Sequence, residues 1–414
     1  MQILMSLVGV TALLAIAVLL SDNRKAIRLR TVGGAFAIQA CLGAFILYVP
    51  VGRELLGNVS NAVSNVINYA NEGIGFLFGD LGHFKVGFIF AINVLPIIIF
   101  FSSLVAVLYY LGIMQKVVAI LGGGLQKLLG TSRTESLSAT ANIFVGQTEA
   151  PLVVRPYISR MTQSELFAVM VGGLASVAGS VLAGYAAMGV ELKYLIAASF
   201  MAAPGGLLMA KIIKPETETP DDSDIQDEGD EKPANVIDAA AGGASAGLKL
   251  AANVGAMLLA FIALIAMLNG IIGWLGGWFG QPDITLEAIL GVVFSPLAFL
   301  IGVPWSEAMT AGSFIGQKLI LNEFVAFMDF VNYVDPEKAV TAGVQVLSEH
   351  TQAIITFALC GFANLSSVAI LLGGLAVMAP NRRADIARMG MKAVAAGTLS
   401  NLMSATIAGL FLAL

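Results

Sequence analysis

Two carboxylates stand where a charge is costly. Glu149 falls in Gly146-Gln147-Thr148-Glu149-Ala150-Pro151, and Glu323 in Leu321-Asn322-Glu323-Phe324-Val325. An ionisable group at membrane depth is a functional candidate by default. Gln147 and Thr148 adjoin the first and Asn322 the second, so each carboxylate sits beside an amide or a hydroxyl. Two polar pairs accompany them in apolar stretches: Asn364 with Ser367, three apart and so on one helical face, and Asn142 with Ser176. Amides, hydroxyls and unwound backbone supply the oxygens a hard cation needs. Bond-breaking chemistry has little to work with. The only histidines are His83 and His350, the only cysteines Cys41 and Cys360, which leaves neither a disulfide framework nor a zinc site. Gly122-Gly123-Gly124-Leu125-Gln126-Lys127 lacks the GK[ST] ending of a phosphate loop.

Simpler roles compete at each position. Glu149 could be a cap at a lipid–water boundary. Lys318, five residues before Glu323, could form a structural ion pair with it. Ser366 is best read as an interhelical hydrogen-bonding group.

These residues need a membrane-embedded frame. The 414 residues are 57% hydrophobic and 12% charged, with mean hydropathy +0.86. A soluble chain carries about 25% charged residues. Crossing the hydrocarbon core takes about 20 apolar residues as a helix. Candidate spans fall at 3–21, 31–50, 88–112, 163–190, 194–213, 244–272, 351–378 and 393–413. None shows the alternation of a barrel strand. The basic cluster Arg24, Lys25, Arg28, Arg30 follows the first span instead of preceding it, so that span is no signal peptide. Segment 51–80 is too polar to span and reads as an interfacial amphipathic helix. Trp274 and Trp278 read as interface anchors.

Segments 131–160 and 303–332 carry charges at their ends and polar residues in their middles. Both read as re-entrant hairpins, permitted where protein or water surrounds the irregular backbone. With that layout Lys and Arg concentrate in 22–30, 113–133, 155–162, 214–243 and 379–392, the side assigned to the cytoplasm. The organisation follows: N-terminal spans in 1–112, a first repeat in 113–214, an acidic cytoplasmic linker in 215–243, a scaffold helix and interfacial segment in 244–302, and a second repeat in 303–414. The linker's stretch 215–235 reads as a disordered tether.

The two repeats match internally. Ala141-Asn142-Ile143-Phe144-Val145-Gly146-Gln147 pairs with Gly312-Ser313-Phe314-Ile315-Gly316-Gln317. Gly173-Leu174-Ala175-Ser176 pairs with Gly361-Phe362-Ala363-Asn364. The first hairpin opens from the cytoplasm and the second from outside. Such an inverted repeat of broken helices places a binding site where the halves meet. The expected fold is an all-α polytopic membrane protein: eight transmembrane helices, two re-entrant hairpins and interfacial helices.

At these residues the chain resembles the concentrative nucleoside transporter family. Gly316-Gln317-Lys318-Leu319-Ile320-Leu321-Asn322-Glu323-Phe324-Val325-Ala326-Phe327 looks like its signature, and Ala141–Pro151 and Cys360–Ser367 like its hairpin and broken-helix segments. The resemblance implies a sodium symporter that imports nucleosides such as uridine by alternating access, with proton coupling through Glu149 or Glu323 as the alternative. It implies a homotrimer in the lipid of a bacterial inner membrane, no enzymatic activity, no cofactor and no nucleic acid partner. By likeness, Gln147, Thr148 and Glu149 address the base, and Glu323, Asn364 and Ser367 the ribose hydroxyls. Val181, Leu250 and Phe362 give apolar contact. Sodium is held by the side chains of Asn142 and Ser176 and the carbonyls of Val145 and Val177. The chemistry agrees with this division, since ribose offers adjacent hydroxyl donors that a carboxylate accepts strongly.

Overall fold

The computed structural model describes residues 2–83, 85, 87–221 and 233–414. The described chain is built from helices: α1 (Gln2–Leu19), α2 (Leu29–Leu47), α3 (Pro50–Phe78), α4 (Leu95–Tyr110), α5 (Ile113–Leu129), α6 (Arg133–Ala141), α7 (Gln163–Ala175), α8 (Gly179–Met188), α9 (Leu192–Ile213), α10 (Val236–Gly277), α11 (Leu286–Leu300), α12 (Trp305–Ile320), α13 (Glu323–Phe330), α14 (Glu349–Leu359), α15 (Ser367–Met378) and α16 (Arg383–Leu412). Among the described residues, seven helical segments are long and apolar enough to cross a membrane, or eight if α11 and α12, bent by 115°, count as one.

Segment 351–378 is two short helices, α14 and α15, with an extended passage between them. The reason is local. Gly361, Asn364 and Ser366 interrupt the apolar run, and the N–H groups of Phe362 and Leu365 in the passage donate to the carbonyls of Ser176 and Leu319 on other segments. Segment 163–190 breaks likewise after Ala175, where Ser176 turns extended (φ −109°, ψ 172°). The polar segment 51–80 forms the 29-residue α3, which is not among the spanning segments.

Burial sorts the helices. Segments α7–α8 and α9 are almost wholly enclosed and most of α16 is too, whereas α10 is peripheral along nearly all its length. The core clusters around Phe167, Phe314, Phe327, Phe330 and Phe357. Gly243 and Gly247 allow α10 to close on α4. A Cβ at Gly243 would sit 2.6 Å from the Ala106 Cβ, and one at Gly247 would sit 2.8 Å from the Ile99 Cα.

The basic loops expected on one side lie together. Asp22, beyond α1, accepts a bond from the Lys214 ammonium at 3.0 Å and pairs with Lys392. Arg382 donates to the Met161 carbonyl, and Thr31 to that of Leu129 at 2.9 Å. At this end two matching caps start α6 and α7. Ser132 with Glu135, and Thr162 with Glu165, each form a reciprocal capping box, which satisfies orphan N–H groups of the first turn.

The linker differs from expectation at its entrance. Glu216 is buried and accepts from the Thr162 hydroxyl at 2.9 Å, with Lys211 at 3.7 Å. Lys211 also pairs with Glu135. A carboxylate with a cation and a hydroxyl partner has reason to leave water. The remainder of the tether reading falls mostly on 222–232, outside the described residues. Helix α10 begins at Val236, ahead of the expected 244, because the Asn235 side chain caps the N–H groups of Ile237 and Asp238 at 2.9 and 3.0 Å.

Candidate functional site

Hairpin 131–160 consists of α6, a turn through residues 142–149 and a tight helical turn Ala150–Val154. Hairpin 303–332 consists of α12, a sharp corner at Leu321 and Asn322, and α13. The Asn322 side chain accepts from the Val325 N–H at 2.9 Å. This cap makes Glu323 the first residue of α13, at the positive end of the helix dipole.

The two breaks meet the two hairpins through backbone bonds. The Gly179 N–H, just past the first break, donates to the Phe144 carbonyl at 3.0 Å, and the Leu365 N–H in the second break donates to Leu319 at 3.1 Å. The breaks also touch each other: the Phe362 N–H donates to the Ser176 carbonyl at 3.2 Å. Asn142, Ser176, Glu323, Asn364 and Ser367 are thus gathered around one junction from four separate segments.

Glu323 is 4% exposed. One carboxylate oxygen accepts from the Asn364 amide at 3.0 Å, the other from the Tyr185 hydroxyl at 3.2 Å. The Asn364 carbonyl oxygen in turn accepts from the Ser367 N–H and hydroxyl, each at 3.0 Å, and from the Ser366 hydroxyl at 2.7 Å. Ser367 also donates to the Phe362 carbonyl at 2.5 Å. Ser366 therefore bonds within its own turn and not to another helix. The carboxylate retains lone pairs, and a ligand hydroxyl at the junction is the kind of donor it could accept.

The first tip is more open. Glu149 is exposed, Thr148 half-buried and Gln147 buried. Glu149 folds back to accept from the Gly146 N–H at 3.1 Å. Gln147 reaches the first broken helix because Gly173 has no side chain; a Cβ there would lie 2.8 Å from that of Gln147. Thr148 similarly lies against Gly374 of α15. The Gln147 side-chain oxygen, Oε1, is buried without a donor. Val181 is buried on α8 and Leu250 half-buried on α10; both helices touch α13. Phe362 is half-buried in the second break.

Beside this junction is a set of oxygens lacking donors. The Asn142 amide donates to the Ser138 carbonyl at 2.9 Å, and its own oxygen is buried without a partner. The Ser176 hydroxyl donates to Gly172 at 2.9 Å, leaving its lone pairs free. Among the described residues, the carbonyls of Val145 and Val177 accept no backbone hydrogen bond. A buried unsatisfied polar group costs about 1–3 kcal/mol. The donor set is oxygen only, which suits a hard monovalent cation.

Two residues that brace this junction were not singled out from the sequence, and a third was read for a different partner. Tyr185 looks like an ordinary aromatic of an apolar span. Asn401 was obscured by the serines and alanines around it, though a polar amide within α16 is itself a signal at membrane depth. Lys318 was weighed only against Glu323. Its ammonium instead donates to the Ala358 carbonyl and the Asn401 Oδ1, both at 2.7 Å. The Asn401 amide nitrogen donates to the carbonyls of Ala175 at 2.6 Å and Cys360 at 3.0 Å, joining both breaks.

Paired hairpins meeting paired broken helices define a membrane carrier, not an enzyme. The Na+ dependent nucleoside transporter C-terminus family matches residues 194–409, its N-terminal counterpart 8–81, and the nucleoside recognition (Gate) family 91–191. The chain is 55% identical to the nucleoside permease NupC of Helicobacter pylori over 99% of this chain and 98% of that one. It is 38% identical to the sodium/nucleoside cotransporter 1 of Mus musculus over 98% of this chain and 63% of that one. The solved structure of CNTnw in an inward-facing substrate-bound state superposes with a TM-score of 0.94 at 66% identity, covering 99% and 98% of the two chains. An outward-facing state of a CNTnw variant superposes at 0.96 with 65% identity, covering 100% and 99%. The chain belongs to the concentrative nucleoside transporter family.

Proposed function

We propose that the chain is a sodium/nucleoside symporter of the bacterial inner membrane, working as a homotrimer in lipid. A nucleoside such as uridine is held at the junction. Glu323, Asn364 and Ser367 take the ribose hydroxyls, Gln147, Thr148 and Glu149 the base edge, and Val181, Leu250 and Phe362 its apolar faces. Sodium, transported with it, is held by Asn142 and Ser176 and by the carbonyls of Val145 and Val177.

The observation that carries the sodium reading is the cluster of buried oxygens without donors at 142–145 and 176–177. A proton cannot satisfy four separated oxygens, whereas one cation can. The same cluster couples the two cargoes physically. Asn142 and Gln147 share the turn of the first hairpin, and Ser176 accepts the N–H of Phe362 across the junction. Ordering the cation loop therefore also orders the groups assigned to the nucleoside, so each cargo strengthens binding of the other.

The test is uptake of radiolabelled uridine into proteoliposomes under inward sodium, inward proton or no gradient, at matched voltage. Sodium-driven uptake that is lost in Asn142→Ala supports the reading. Uptake driven only by protons would overturn the sodium site and turn attention to Glu149 and Glu323.

A further inference from the structure

Helix α16 passes both breaks, and one of its side chains is tied to each. Asn401 is 2% exposed. Its amide nitrogen donates to the carbonyl of Ala175, the last residue of α7, at 2.6 Å, and to that of Cys360, the first residue past α14, at 3.0 Å. Both are carbonyls left without an N–H partner where a helix stops. Its Oδ1 accepts from the Lys318 ammonium at 2.7 Å. An ammonium only donates and a carbonyl only accepts, so the amide has a single orientation, with both N–H groups spent. Glycines make the approach possible. A Cβ at Gly361 would collide with the Asn401 oxygen, and one at Gly397, a turn earlier on α16, would lie 2.9 Å from the Cβ of Leu174 and 3.1 Å from that of Ala363.

The three segments held by this amide carry both sets of groups at the junction. Ala175 directly precedes Ser176 and Val177, assigned to sodium. Cys360 opens the passage that leads to Asn364 and Ser367, assigned to the ribose. Lys318 lies on the hairpin arm that leads to Glu323, and the two charges attract one another. The amide is planar and fully bonded, so the Ala175 and Cys360 carbonyls cannot move independently without stranding a buried polar group. The bond from the Phe362 N–H to the Ser176 carbonyl links the breaks directly. Asn401 links them from a third helix, which holds neither cargo.

We propose that Asn401 is a positioning residue that carries coupling between the two cargoes. Sodium draws Ser176 and Val177 into place, the amide transmits the position of Ala175 to Cys360, and the second break then presents Asn364 and Ser367 to the ribose. This rests on the sodium and nucleoside reading above. Because Asn401 touches neither cargo, its distinctive contribution is the gain in affinity that one cargo gives the other. A brace that served only to hold the helices together would affect uridine binding equally with and without sodium.

The experiment measures uridine affinity of the purified full chain by calorimetry at low and at saturating sodium, with choline making up the salt. The ratio of the two affinities is the gain. Asn401→Ser leaves a hydroxyl for Lys318 but cannot hold two carbonyls, and its gain should be smaller than that of the wild type by about fivefold or more. Ser404→Ala is the control on the same buried helix. It loses the bond from the Gln39 Nε2 at 2.9 Å, so its unfolding midpoint should fall while its gain stays that of the wild type. If Asn401→Ser does not fold, Asn401→Asp, which is isosteric and keeps an acceptor for Lys318, carries the test with the same expectation. Affinity lowered by one factor at both sodium concentrations would overturn the proposal, as would a gain lost equally in Ser404→Ala. A wild type with no gain at all would sink the sodium reading itself, and the coupling role with it.

Discussion

The Tyr185 hydroxyl donates to a carboxylate oxygen of Glu323 across 3.2 Å, tying the helix after the first break to the tip of the second hairpin. Tyr185 is fully buried and wedged between Phe324 and Phe327, with ring centroids 4.7 and 4.5 Å away. The ring is fixed by packing, so the hydroxyl fixes the carboxylate. Tyr185→Phe keeps the packing and removes one donor. A single hydrogen bond to a charged group contributes about 1.5–3 kcal/mol. Uridine affinity should fall about tenfold or more, and the ligand-free protein should lose stability of about the same 1.5–3 kcal/mol. Unaltered affinity would show that the carboxylate does not need this anchor.

Glu323 itself is the larger loss. Glu323→Ala should nearly abolish uptake, and Glu323→Gln should lower affinity about a hundredfold, because charge-assisted bonds are roughly twice as strong as neutral ones. The distinguishing measurement uses 2′- and 3′-deoxy analogues. A site built to bond a hydroxyl rejects the analogue lacking it by a large factor, so wild type should discriminate strongly and Glu323→Gln weakly. Equal discrimination by both would remove Glu323 from the ribose.

Asn401→Leu tests the join between the two breaks. It strands the Ala175 and Cys360 carbonyls and takes one of two partners from the Lys318 ammonium. Breaking a buried charged network by removing a partner costs about 3–5 kcal/mol. Denaturant unfolding in detergent should show a loss of that order. Gly361→Ala should resemble it, since an added Cβ would lie 2.3 Å from the Asn401 oxygen. A loss under about 1 kcal/mol in Asn401→Leu would mean that the join is replaceable.

Asp22 supplies a pH-dependent contact at the basic end. Burial raises its pKa, but hydrogen bonds and charge from Lys392 and Lys214 outweigh this and hold it below the ordinary 3.8. A depressed carboxylate contributes stability that is fully present above its unfolded pKa and lost as pH falls through the folded one. The difference in unfolding midpoint between wild type and Asp22→Asn should therefore be constant from neutral pH down to about 5 and vanish at lower pH. A gap that widens on acidification would contradict the pairing.

The legible parts of the fold were those written in composition and repetition. Long apolar runs and the basic loops have one-dimensional signatures, so the membrane class could be read directly, whereas the breaks at Ser176 and at 361–366 fall inside stretches that read as the continuous spans 163–190 and 351–378. Glu323 and Asn364 stood out because polar groups are rare in such runs. Tyr185 and Asn401 did not, because their roles depend on which oxygen lies opposite after folding. Lys318 was visible, but its neighbour in sequence drew attention from its neighbours in space. Glu216 was misplaced for the opposite reason: the acidic composition of 215–235 argued for solvent, and a single buried lysine on α9 reversed that for one residue.

Helix α10 has 42 residues and no proline, and at about 1.5 Å per residue such a rod measures about 63 Å. A bilayer's hydrocarbon core is about 30 Å thick. A stiff rod twice that length must lean or protrude, and its glycine-lined contact with α4 at Gly243 and Gly247 carries the lean to its neighbour. Lipid thickness then becomes a mechanical input: thinning the bilayer increases the slant of this strut, and thickening it stands the strut upright.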